Sequence, residues 1–250
     1  MRNLIKMERY KLFRDKLYLV LLAGYFILGL TSSAGYKSSY AAVEDRAIPV
    51  NTLYDLFNSM AADVLILLVP VGALLALVVG REFHRRNIST IISSWHDRRQ
   101  ILLAKAVVLL PAYAAIPLLF PLGGVIRELG NYSLEEPGWI LLNIVRSAFY
   151  VWFLSIALFS LAMVFGFVIQ NGVVSGIAGM ITYFAMMYLF AILAGFGMKR
   201  INWCLPLYHM RSVLDPANSF FAISPIVLGS LWIVAGLLIM WYKFRRSDIK

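Results

Sequence analysis

Six apolar stretches set the terms for what this chain can fold into. A helix crosses a bilayer core with roughly 17–25 apolar residues. The stretches over 17–33, 60–79, 101–122, 141–168, 173–196 and 221–241 are of that kind. Pro111, Pro117 and Pro121 fall inside the third and predict that it is broken there. Only 14% of the residues are charged, against about 25% in an ordinary soluble domain. That leaves too little polar surface to coat a water-soluble globule, and the mean hydropathy of +0.77 agrees. No linker, low-complexity tract or internal repeat divides the chain. The expected fold is therefore all-α, a polytopic membrane protein with six transmembrane helices in a single domain, 1–250.

Charge placement orients the spans. With the N-terminus in the cytoplasm, sixteen Lys and Arg fall in cytoplasmic segments and seven in outer ones, the bias that membrane insertion favours. The expectation is a multi-pass protein of the cell's inner (cytoplasmic) membrane with both termini cytoplasmic. The first stretch has the outline of a signal peptide, but 16 residues containing Glu8 and Asp15 precede it, so it reads as a retained helix. The net charge of +10 would suggest nucleic acid in a soluble protein. Here the basic residues flank apolar runs and suit anionic lipid headgroups, so no nucleic-acid partner is expected. Cys204 is the only cysteine, which excludes an intramolecular disulfide.

Gly80 to Lys105 is the long cytoplasmic connection, between spans two and three. Ile88, Ile91, Ile92 and Trp95 recur at i, i+3, i+4 and i+7, one face of a short helix over 87–97. Arg85 and Arg86 precede that helix and Asp97, Arg98 and Arg99 follow it. Two readings stand. The helix lies on the inner leaflet with its arginines on phosphates, or its apolar face docks into a groove of a cytoplasmic protein. The polar face of 87–96 carries Asn, Ser, Thr and His rather than Lys or Arg, which suits a protein surface better.

Over nearly its whole length the chain resembles the permease subunits of ABC-2-type (type V) exporters. The likeness lies in the basic N-terminal segment, the six spans and the spacing Glu82, Ile88, Ile91, Ser93, Arg98, Ile101 and Lys105 between spans two and three. Ser89-Thr90 stands where members often have Gly-Thr. The resemblance implies that residues 1–16 form a connecting helix along the inner leaflet. It implies that 87–97 is a coupling helix on a separate ATP-binding-cassette ATPase, with Glu82, Arg86, Ile88, Ile91, Ile92, Trp95, Arg98 and Arg99 at the contact. It implies a homodimer of this chain, ATP and Mg bound in the partner ATPase, and short re-entrant helices before span six.

No catalytic site is expected in this chain. The Walker A pattern is absent, so ATP phosphates would be held by another chain. Glu135-Glu136 lie in an outer loop, His84 and His96 on the cytoplasmic side and His209 outside, so they cannot converge on a metal. Charges within spans are costly and need a reason. Asp63 and Arg146 fall at similar depth near the outer ends of spans two and four. They pair, line a cavity, or reach headgroup water; Asn143 and Ser147 would share the cavity wall. With Asp63, Asn143, Arg146 and Ser147 as candidates for a translocation path and the span centres apolar, the expected cargo is hydrophobic or amphipathic, such as a peptide; the resemblance implies that it is moved outward. The alternative reading is a membrane scaffold or assembly factor without transport.

Overall fold

The computed structural model describes residues 1–41, 47–84, 97–132, 137–215 and 223–246. Helix α1 spans Arg2–Arg14 and α2 spans Lys16–Ser32, with a 3-10 turn at Ser33–Tyr36. Two short strands follow, β1 at Ser39–Ala41 and β2 at Ala47–Pro49. They pair antiparallel with Tyr40 opposite Ile48. The rest of the described chain is helical: α3 (Leu53–His84), α4 (Arg98–Glu128), α5 (Pro137–Ile169), α6 (Gly172–Gly195), α7 (Lys199–Asn202), α8 (Pro206–Val213) and α9 (Ile223–Arg246).

Six of these, α2, α3, α4, α5, α6 and α9, are long and apolar enough to cross a membrane. The helices α3, α4 and α5 have 32, 31 and 33 residues, about 47–50 Å at 1.5 Å per residue. They outrun a hydrocarbon core of about 30 Å, which is why they extend past the apolar stretches read from sequence.

Burial sorts the spans. In the most apolar window of α4, 72% of residues are buried, against 22% in α2 and 28% in each of α6 and α9. An inner set of α3, α4 and α5 is therefore flanked by helices that keep a broad lipid-facing side. Helix α3 is central: it packs on α4, α5 and α6, while α2 lies on α4 and α9 on α5. Its core stripe includes Phe57, Met60, Val64, Leu68, Leu75 and Val79, all fully buried.

The expected breaks in the third span do not occur. Helix α4 runs continuously through Pro111, Pro117 and Pro121. Proline removes one amide hydrogen and frees a carbonyl a turn earlier, which neighbouring helices can cover inside a membrane bundle. Pro117 and Pro121 are buried against such neighbours, and the Trp152 indole N–H of α5 ties the two helices together at the Pro111 carbonyl, at 3.1 Å.

Local chemistry sets the turns. The Asp15 carboxylate accepts from the Leu17 N–H at 3.0 Å and caps α2. Gln170 adopts a left-handed backbone with φ of 57° where α5 ends, and the Asn171 side chain accepts from the Val174 N–H at the start of α6. Helix α1, the end of α3, the start of α4, the α5–α6 turn and the end of α9 gather on one face of the bundle, the basic face. Helices α7 and α8 lie toward the opposite, far face. Short re-entrant helices are expected between spans five and six, and the described residues there hold two short helices, with 216–222 outside them.

Candidate functional site

Lys105 stands at the centre of the basic face. It comes from the first turns of α4, yet it is 0% exposed. A buried ammonium persists only when it is paired and hydrogen-bonded. Its Nζ donates to both oxygens of Glu8, each at 3.1 Å, and to Glu82 Oε2. Lys11 Nζ reaches Glu8 Oε1 at 3.3 Å and Glu82 Oε1 at 3.5 Å. Two cations and two carboxylates from α1, α3 and α4 thus form one neutral cluster.

The elements deliver these groups for plain reasons. On α1, Leu4, Glu8 and Leu12 are buried at i, i+4 and i+8, a single face. Two leucines dock the helix and hold the carboxylate between them over Lys105. The segment expected to form a connecting helix is helical over Arg2–Arg14, and one side of it packs on protein.

The start of α4 is fixed a second time. Arg98 Nη1 donates to the carbonyls of Phe244 and Arg245 at 2.9 and 3.0 Å. A guanidinium there satisfies carbonyls at the end of α9, where the helix dipole favours a cation. Phe83 from the end of α3 packs edge-on against Phe167 and Phe244 at 5.2 and 5.9 Å between ring centres. Both stems of the 85–96 segment are therefore anchored. Of the residues expected at the ATPase contact, Glu82 belongs to the ion cluster, Arg98 staples α9 and Arg99 is exposed. Arg86, Ile88, Ile91, Ile92 and Trp95 lie outside the described residues, as does the 87–97 helix short of Asp97.

Toward the far face, the structure brings together some of the expected path residues and separates others. Asn143, Arg146 and Ser147 are buried on one stripe of α5. Arg146 Nη2 donates to the Tyr54 hydroxyl of α3 at 3.1 Å. Asn143 donates to the Trp139 carbonyl at 2.9 Å. Asp63 is elsewhere: it is exposed and accepts from the Tyr36 hydroxyl at 2.6 Å. The two charges at similar depth thus have different hydrogen-bond partners.

Sequence reading missed Tyr54 and Asn58 on the α3 side of this seam. Asn58 is 0% exposed, with neither amide atom hydrogen-bonded among the described residues, and the Ser147 hydroxyl is likewise without a partner there. Leaving a buried amide unsatisfied costs about 1–3 kcal/mol. The signal was present: Tyr54 and Asn58 are i and i+4, on the same side of α3.

The far-face helices carry a buried histidine. His209 Nε2 donates to the Trp203 carbonyl at 2.9 Å, and its ring meets Trp203 and Tyr208 edge-on. Burial pushes its pKa below the ordinary value and outweighs that hydrogen bond, which acts in the opposite direction. The neutral imidazole is the folded form. Its contribution to stability is complete above the unfolded value of about 6.5 and is lost as pH falls below that, through the lowered folded value. Melting temperatures taken from pH 8 to pH 5 should drop more for wild type than for His209→Gln, which has no titrating ring. Parallel curves would show that His209 contributes nothing to the pH dependence.

These features define a six-span helical membrane protein with a neutral ion cluster where the 85–96 segment joins the bundle, on the basic face. No model of a known protein family matches the sequence, and no curated protein matches it.

Proposed function

We propose that this chain is the membrane-spanning subunit of an ATP-driven exporter of the ABC-2 type. It works as a homodimer with a separate ATPase chain, which binds ATP and Mg, and it moves hydrophobic or amphipathic cargo outward. The basic face is cytoplasmic in this reading, and both termini lie on that side of the inner membrane.

One observation supports this reading above the others. Both stems of the 85–96 segment are fixed to the bundle, one through Glu82 and Phe83 and the other through Lys105 and Arg98. A helix that only floats on lipid needs no rigid roots. A helix that transmits the closing of a partner must be tied to the spans it moves, and here each root is the end of an inner span. The apolar face Ile88, Ile91, Ile92 and Trp95 would be the contact itself.

The test is co-purification of this chain with an ATP-binding-cassette ATPase from its own cells. Ile91→Asp with Trp95→Ala puts a charge into the apolar face and removes its largest anchor, each worth about 2 kcal/mol or more at an interface centre. ATPase recovered with the double mutant should fall at least about tenfold. Recovery equal to wild type would remove the coupling role and leave a membrane scaffold as the better account.

A further inference from the structure

The acids within the spans differ in how they are satisfied. Asp55 accepts from the Thr52 N–H and hydroxyl at the start of α3, at 3.0 and 2.9 Å. Glu82 is held by two lysines. Glu128 is buried and accepts from Lys37 at 2.7 Å, from Asn131 and from Ser33. Asp63 has none of this. It lies ten residues into α3, about 15 Å along the helix, and its side chain is exposed. Among the described residues its one hydrogen bond comes from the Tyr36 hydroxyl to Oδ2 at 2.6 Å, and no cation there forms an ion pair with it.

Depth makes this costly. Nineteen residues separate Asp63 from Glu82, about 28 Å of helix, close to the thickness of the hydrocarbon core. With the ion cluster at one membrane boundary, Asp63 sits at or just inside the other. The same side of α3 carries Ile66, 58% exposed, and exposed Pro70, at i+3 and i+7. A carboxylate thus stands at the far-face end of an open apolar strip. An acidic residue in this position marks a ligand path more often than a lipid contact.

We propose that Asp63 is the counter-charge for an organic cation. The cationic group meets Oδ1, the oxygen left open by Tyr36, while the apolar body of the ligand lies along Ile66 and Pro70. The chemistry selects lipophilic cations and rejects anions of the same shape. Such a cation has two sources: a freely diffusing amphipathic molecule or the ammonium of a lipid headgroup. That the ligand is cargo rests on the exporter reading; that the site takes a cation does not.

Tetraphenylphosphonium and tetraphenylborate are near-identical in shape and opposite in charge. Binding of each is measured to the purified full chain in dodecyl maltoside, without the ATPase. Wild type should bind the phosphonium, Asp63→Asn about tenfold more weakly, and Tyr36→Phe between the two; the borate should show no dependence on residue 63. Asp63→Asn removes charge at an exposed position, and its elution profile and melting temperature should match wild type. Adding phosphatidylethanolamine separates the sources. Displacement of the phosphonium assigns the site to headgroups, and no displacement assigns it to a soluble cation. Equal phosphonium binding by wild type and Asp63→Asn, or no binding by wild type, overturns the site. That failure would leave ATPase co-purification untouched, and loss of co-purification would leave phosphonium binding untouched.

Discussion

Lys105→Met should destabilise the bundle by about 3–5 kcal/mol, the cost of removing one partner from a buried ion pair. Lys105 is wholly enclosed and, among the described residues, is the one group that bonds both Glu8 and Glu82 from within the bundle; Lys11 approaches the same carboxylates from the partly exposed side. Without the ammonium, two carboxylates face each other across a dry junction, and Lys11 alone cannot neutralise both. The damage should concentrate where the cluster holds separate elements together. Helix α1 should become accessible to protease or hydrogen exchange before the inner spans do. The remedy follows from the same physics. A buried ion cluster can often be replaced by apolar or neutral groups of similar size at little cost. Adding Glu8→Leu and Glu82→Gln to Lys105→Met should therefore restore most of the lost melting temperature. A single Lys105→Met mutant that melts within about 1 °C of wild type would show that the cluster does not hold α1 in place, since 1 kcal/mol shifts a 150–250-residue domain by about 2–4 °C.

How much of this was legible in the sequence depends on what kind of force places each group. The six spans were legible because length and composition alone decide whether a segment enters lipid. Their rotations were not. In a helix that is apolar all round, as α5 and α6 nearly are, no stripe tells which side faces the bundle. That is why Asp63 and Arg146 could be assigned a common depth but not their partners. Tyr36 reaches Asp63 from the turn after α2, and Tyr54 meets Arg146 from α3. The three prolines of α4 predicted breaks because that rule holds for an isolated helix, whereas α4 is packed among α2, α3 and α5. In the ion cluster, Glu82 and Lys105 stood out only as positions in the loop pattern that carries the family resemblance. Glu8 read only as an acid in a basic segment, because a helix rich in Arg and Lys suggests lipid. The telling detail was an acid flanked by leucines four residues to either side. The far-face seam gave a similar hint in Tyr54 and Asn58, which spacing aligned and apolar surroundings made easy to pass over.

A second large effect is expected where α2 crosses α4. The approach is close enough that backbones touch. A methyl group on Gly29 would overlap the carbonyl oxygen of Phe120 and lie 2.9 Å from its carbon, and one on Gly123 would lie 2.7 Å from the Phe26 carbonyl oxygen. Small residues at such crossings let membrane helices pack by direct contact, the main source of their association in lipid. A side chain in the way could turn aside, but a helical carbonyl cannot, so Gly29→Ala must push α2 outward. Nearby contacts would go with it, since Arg127 donates to the Leu30 and Thr31 carbonyls and Ser33 donates to Glu128. The expected loss is about 2–4 kcal/mol, in the range of overpacked core substitutions with lost neighbours. Gly24 supplies the control five residues earlier on the same helix, where an added methyl meets nothing within 4 Å. Gly24→Ala removes only glycine's backbone freedom and should be neutral or stabilising by up to about 1 kcal/mol. Melting curves of the two mutants side by side separate the effects. If Gly29→Ala melts no lower than Gly24→Ala, then α2 does not pack on α4 at backbone distance. The far-face link from Lys37 and Ser33 to Glu128 would then be what fixes α2 to the bundle.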